Sequence, residues 1–149
     1  MKIKFKNLRP DQRPLPSKAN PYAAGIDIRA VEHAWLMPRE MSGGGAAVAV
    51  KTGWAVEIPD GYEIQVRSRS GLAKKGIVVA NSPGTIDSDY RGELIVLLVN
   101  TGMTPYEILP GDRIAQLVVS RVLDVEIEEV QELSETARGS NGFGSTGIK

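Results

Sequence analysis

An all-β fold is predicted for this 149-residue chain by three observations. Val (14) and Ile (12) together far outnumber Leu (11), and β-branched residues suit half-buried pleated surfaces. Apolar residues alternate with polar ones along several short runs, the period of a strand with one covered face. Sixteen Gly and nine Pro punctuate those runs. Many short strands separated by turn signals at this spacing predict a sandwich or jelly roll.

Taken in chain order, Ile26, Ile28 and Ala30 fall on one face of the first clear strand, with Asp27 and Arg29 on the other. Trp54, Val56 and Ile58 repeat the pattern. Tyr62, Ile64 and Val66 repeat it again, opposite Glu63, Gln65 and Arg67. Residues 70–75 make the single helical segment, barely more than a turn, stopped by Gly76. The unbroken apolar run 94–99 predicts a central strand covered on both faces. Residues 122–130 are expected to form a last strand. Turns are expected at 42–45, 59–61, 101–102 and 110–112. From residue 134 the chain is small, polar and Gly-rich, so a core over 1–133 and a mobile segment over 134–149 are expected.

Composition removes several chemistries. With no cysteine there is no disulfide scaffold, thiolate zinc site, iron–sulfur cluster or thiol nucleophile, and one histidine excludes a His-rich metal site. Eighteen basic residues balance eighteen acidic ones, which argues against a general nucleic-acid binder. The start MKIKFKNLRP lacks an apolar core, so it does not read as a signal peptide, and the run 94–99 is too short to span a bilayer. A soluble, cytoplasmic domain is expected.

Generic motifs give little. Gly142-Phe143-Gly144-Ser145-Thr146-Gly147 matches G-x-G-x-x-G, but the chain ends two residues later, leaving no helix and no acid beyond it. P-loop, zincin and serine-hydrolase signatures are absent. His33 reads as an exposed loop residue. The tail itself offers Gly, Ser and Thr donors able to wrap an anion, a forked cation in Arg138 and a stacking face in Phe143; read alone, it is equally a tail with no role.

Five segments, in order, carry a resemblance. They are residues 24–30 (AGIDIRA), 69–73 (RSGLA), 81–93 (NSPGTIDSDYRGE), 111–117 (GDRIAQL) and 138–147 (RGSNGFGSTG). Together they resemble the trimeric dUTP pyrophosphatases (dUTPases). The resemblance implies a jelly-roll-like distorted β-barrel and a homotrimer whose three active sites are each built from all three chains. It implies hydrolysis of dUTP to dUMP and pyrophosphate. It also implies Mg²⁺ held by substrate phosphates and water rather than by protein ligands, as suits an ion that dehydrates reluctantly. A dCTP deaminase of the same fold and a dUTP-sensing regulatory module are the rival readings.

Carried over position by position, the resemblance makes Asp87 the group that activates the attacking water. A carboxylate can do this by orienting water and accepting its proton, although alone Asp87 would read as a turn cap. Asp87 with Asp89, two apart on a strand, is the alternative two-carboxylate metal site. Tyr90 would lie beneath the deoxyribose; alone it reads as a core tyrosine. The segment from Asn81 to Ile95 resembles the family's uracil-reading β-hairpin, with contacts at Asn81, Thr85, Ile86 and Ile95. Arg69, Ser70 and Gly71 at the helix start, and Gln116, would meet the phosphates. Phe143 would stack on uracil while Arg138, Gly144, Ser145 and Thr146 close on the γ-phosphate. Asp27 would orient an arginine such as Arg69, and Arg113 would serve either that cluster or trimer contacts. Two residues depart from the family pattern. Ser68 stands where proline is common, which predicts a looser strand-to-helix junction, and Asn141 replaces a common glycine.

Overall fold

Alternation of the kind seen in the sequence makes strands that bury one face, and these need a second layer to bury it against. The computed structural model describes residues 1–9, 11, 13–41 and 47–142. It places eleven strands and one helical turn among them: β1 (Lys4–Asn7), β2 (Ser17–Lys18), β3 (Ile26–Arg29), β4 (Ala34–Leu36), β5 (Val48–Glu57), β6 (Tyr62–Arg67), α1 (Ser70–Ala73), β7 (Ile77–Val79), β8 (Gly84–Ile86), β9 (Glu93–Asn100), β10 (Tyr106–Ile108) and β11 (Arg113–Arg121). One sheet runs β1-β5-β9-β7, a second β2-β3-β11-β6-β8, and β4 pairs with β10. Every strand pair is antiparallel. This is the expected jelly-roll architecture.

The inward faces meet as read from the sequence. Ile28, Ile64 and Leu117 of the five-stranded sheet join Val50, Leu94, Val96 and Leu98 of the four-stranded sheet in one buried cluster. Each such side chain contributes about 1.5–3 kcal/mol of burial. Asn100, also buried, donates to the carbonyls of Leu36 and Thr104 at 2.8 Å each and accepts from Gly102 N–H, so its amide costs no unpaired group.

Three expectations are corrected. Strand β9 is central but buries one face only: Leu94, Val96 and Leu98 are inside, while Ile95 is 41% exposed. Residues 81–95 do not pair as a hairpin, because β8 pairs with β6 and β9 with β5 and β7, in the other sheet. Residues 122–130 form no strand. The last anchor there is Val122 N–H on the Gly61 carbonyl, and Leu123, Val125 and Ile127 are exposed by 75%, 67% and 92%. A strand needs a ladder partner, and among the described residues of this chain none lies beside that segment.

The junction at Ser68 is tied rather than loose. Its hydroxyl accepts the Val79 N–H at 2.9 Å, linking the end of β6 to β7. The turn expected at 42–45 lies outside the described residues. His33 is exposed as expected, with its Nε2 2.8 Å from Glu107.

Strand β5 carries a break in its ladder with β9, a register shift between Lys51 and Ala55. Gly53 sits there at φ +70, a conformation that L side chains adopt at a cost of about 1–2 kcal/mol. Arg13 reaches the bulge from the N-terminal segment and donates to the Thr52 carbonyl at 3.1 Å. Its guanidinium also hydrogen-bonds and pairs with Asp11, which holds that carboxyl below its ordinary value. A Cβ on Gly53 would lie 1.9 Å from Arg13 Nη1. Gly61, at φ +77, has open space around its Cβ position and serves as the control. Gly53→Ala is expected to destabilise the fold by at least about 2 kcal/mol in denaturant unfolding. Gly61→Ala should cost only the backbone strain, about 1 kcal/mol.

Candidate active site

The first group of expected site residues assembles around Asp27. It lies on β3 opposite Gln116 of β11, and β11 in turn pairs with β6, whose end leads into Arg69 and α1. Asp27 Oδ1 accepts Arg69 Nε at 3.0 Å and Oδ2 accepts Arg113 Nη1 at 3.1 Å. Arg69 Nη1 also donates to the Arg113 carbonyl at 3.1 Å. One carboxylate thus pairs with two guanidiniums, Arg69 and Arg113, and leaves a net positive charge.

These residues line a cleft of about 360 Å³ with Gly25, Ser70, Gly71 and Gln116. Ser70 is exposed at the first position of α1 and is not its N-cap; Arg69 is, without a side-chain capping bond. The first bonds of the turn run from Leu72 and Ala73 N–H to the Arg69 carbonyl, so the Ser70 and Gly71 N–H groups precede them at the mouth of the cleft. Gln116 is no solvated strand residue: half-buried, it donates from Nε2 to the Ser68 carbonyl at 2.9 Å. Two cations, a hydroxyl, backbone donors and an anchored amide line one cleft, a donor set whose chemistry suits an anion.

The second group lies on another part of the surface. β8 is the edge of its sheet, so the outward backbone groups of Thr85 meet no strand among the described residues. A Cβ on Gly84 would lie 3.0 Å from Asn81 Nδ2, so the Asn81 amide rests against this edge. Asp87 follows β8 and is exposed. Neither Asp87 nor Asp89 lies on a strand, so the alternation behind a two-carboxylate metal site does not apply. Among the described residues no group of three His, Cys, Asp or Glu is placed to hold a metal ion. The loop is braced from within: Tyr90 N–H donates to the Asp87 carbonyl at 3.2 Å, and Arg91 Nη1 donates to the carbonyls of Ser88 and Tyr90 at 2.6 and 3.0 Å. Tyr90 is a surface residue, 42% exposed, not a core tyrosine. Ile95 stands exposed on β9 of the other sheet. The sequence reading missed the brace at Arg91 and the tie at Ser68; neither leaves a local pattern.

The two groups are held apart by β6. Ile86 lies opposite Ile64, and β8 runs antiparallel, so Asp87 continues away from Arg67. Ile64 to Arg67 alone is roughly 10 Å at about 3.3 Å per residue. Asp87 lies beyond one end of that interval and Ser70 beyond the other. Arg138 joins neither group; it donates to the Asn141 carbonyl at 2.9 Å within an exposed turn of its own. Phe143, Gly144, Ser145 and Thr146 lie outside the described residues.

Residues 11–147 match the family model described as dUTPase. The chain belongs to the dUTPase family. The chain is 54% identical over 136 residues to the deoxyuridine 5'-triphosphate nucleotidohydrolase of Zymomonas mobilis subsp. mobilis, covering 91% of this chain and 89% of that protein. Against the protein of the same name from Hydrogenobaculum sp. it is 50% identical over the full length of both. Among solved structures, the dUTPase of Staphylococcus bacteriophage 80alpha with dUPNHPP superimposes with a TM-score of 0.85 at 30% identity, covering 99% of each chain. A mutant dUTPase from phage phi11 of S. aureus, described with a coordinated structural Mg(II) ion, gives 0.76 at 26% identity over 89% of this chain and 98% of that one.

Within this dUTPase-family cleft, Asp27→Asn keeps the shape of the side chain and removes the charge that holds both guanidiniums. Binding of inorganic pyrophosphate, used as a probe of the cleft, is expected to weaken about tenfold, roughly 1.4 kcal/mol, by calorimetric titration. Because the pairs are partly exposed, the unfolding free energy should change by only about 1 kcal/mol.

Proposed function

We propose that this chain is a dUTP diphosphatase that splits dUTP between its α and β phosphorus atoms, working as a homotrimer in the cytoplasm. The observation that carries this is the match of residues 11–147 to the dUTPase family, with relatives named deoxyuridine 5'-triphosphate nucleotidohydrolase at about half identity over most of the chain. The dCTP deaminase alternative is not favoured, since these relatives are named for the hydrolase. Among the described residues no helix is long and apolar enough to cross a membrane.

In this reading the Asp87 carboxylate holds a water molecule and accepts its proton as the water oxygen bonds to the α-phosphorus. The bond from that phosphorus to the bridging oxygen breaks, dUMP forms and pyrophosphate leaves. Arg69, Ser70, Gly71 and Gln116 of a neighbouring protomer hold the phosphate oxygens, and charge accumulating there is met by fixed donors. The open edge of β8 and Asn81 read the uracil donor flanked by two acceptors, with Ile95 beside them. The Tyr90 ring lies under the deoxyribose and leaves no room for a 2′-hydroxyl. Phe143 stacks on the base, and Arg138, Gly144, Ser145 and Thr146 close on the γ-phosphate, excluding water.

Two features of the chain support sharing between protomers. Asp87 and Ser70 lie beyond opposite ends of the Ile64–Arg67 interval of β6, and residues 122–130 present exposed apolar side chains with no strand partner among the described residues of their own chain. Such a segment is stabilised by adding to a sheet of another copy. As for Mg²⁺, the described residues provide no three-ligand cage, which fits an ion arriving on the triphosphate with its waters. Bound there, it would neutralise phosphate charge.

A pyrophosphate-release panel across the deoxynucleoside triphosphates should show dUTP as the preferred substrate. Asp87→Asn should lower that release by about 10²–10⁴-fold while a non-hydrolysable dUTP analogue still binds. Near-parental turnover by the variant would remove Asp87 from the role of base.

A further inference from the structure

Glu93 closes the loop that presents Asp87 and Tyr90, and the reading above gives it no role. It is the first residue of β9, opposite Ala55, directly beside the register shift in β5. That shift turns the Gly53 N–H out of the ladder, and Glu93 Oε1 accepts it at 2.7 Å. The backbone carbonyl of the same residue accepts the Tyr90 hydroxyl at 2.9 Å. One residue therefore holds the tip of the Tyr90 side chain with its main chain and a different strand with its side chain.

The neighbourhood leaves the ring little freedom. A Cβ on Gly92 would lie 2.4 Å from Tyr90 Oη and 2.6 Å from its Cζ, so the ring lies directly over the Gly92 backbone. The bulge on the far side is itself anchored. Leu8 N–H donates to the Gly53 carbonyl at 2.9 Å and Arg13 donates to the Thr52 carbonyl. Glu93 thus transmits the position of an anchored bulge to an exposed loop whose other braces, from Arg91 and Tyr90 N–H, are all internal to residues 87–91.

We propose that Glu93 is a positioning residue for sugar selection: its carboxylate pins the Tyr90–Glu93 turn to the β5 bulge, fixing the height of the Tyr90 ring against the sugar. The proposal rests on the reading of Tyr90 beneath the deoxyribose. Discrimination against a 2′-hydroxyl depends on a surface that does not yield, and a ring on an unpinned turn recedes when the larger sugar presses on it. Removing the carboxylate also leaves the half-buried Gly53 N–H without its acceptor, so the bulge loosens with the loop.

The experiment compares Glu93→Ala, Glu93→Gln and Tyr90→Ala in the full-length protein. It reads kcat/KM for dUTP and for UTP by pyrophosphate release, and amide hydrogen exchange over residues 87–93. For Glu93→Ala the dUTP-over-UTP preference is expected to fall at least about tenfold, out of the roughly 100-fold that a 1 Å misplacement can cost, with faster exchange across the loop. Glu93→Gln retains an acceptor oxygen and should restore both readouts. If Glu93→Ala does not fold, Glu93→Asp, one methylene too short to reach Gly53, carries the same two measurements. Parental preference with parental exchange in the shortened or truncated variant overturns the proposal. If Tyr90→Ala keeps the parental preference, the reading of Tyr90 fails instead, and the exchange data still decide whether Glu93 pins the loop.

Discussion

Strand β6 imposes a distance on everything around it. At its Arg67 end the chain turns into Arg69 and Ser70, beside the carboxylate of Asp27. Towards its other end it carries β8, whose direction sends Asp87 the opposite way. A strand is stiff and advances about 3.3 Å per residue, so side-chain motion does not bring these two groups together within one chain. In the proposed reading, the phosphate-contacting residues and the water-activating Asp87 are spaced along this one rigid strand too far apart to meet, so a single copy leaves the site half built. The exposed apolar segment 122–130 has no ladder partner among the described residues of its own chain.

Charge is arranged to match. Asp27 holds two guanidiniums by separate oxygens, so the cleft keeps a fixed positive surface with little rotamer freedom left to lose on binding. Because fork-shaped donors tolerate such sharing, arginine rather than lysine suits both positions. The Asp87 loop shows the complementary solution. Its acid stays exposed while Arg91, Tyr90 and the β5 bulge stiffen the backbone beneath it, so the carboxylate is presented rather than buried.

Local chemistry made much of this legible beforehand. Alternation placed Ile28, Ile64 and Val66 inside, the one helical turn among the described residues fell at Ser70–Ala73 within the expected 70–75, and the motif residues Asp27 and Arg69 met as expected. What escaped is non-local. The apolar run of β9 reads as buried on both faces because sequence does not say whether a second face meets solvent or another chain. The family resemblance predicts a hairpin over residues 81–95, yet its two arms pair in different sheets. Ser68 carried no signal for its bond to Val79, since a lone hydroxyl has no period. Arg13 and Gly53, forty residues apart, meet only through the fold.

The central claim is that one catalytic centre combines Asp87 of one protomer with Arg69 of another. Subunit complementation tests it most directly, by unfolding inactive Asp87→Asn and Arg69→Ala proteins together, refolding the mixture and measuring pyrophosphate release from dUTP. Random assembly of equal amounts restores one intact site in each mixed trimer, so about one quarter of parental turnover is expected. A refolded mixture no more active than the separate variants would place both residues in the same chain's site and contradict the account.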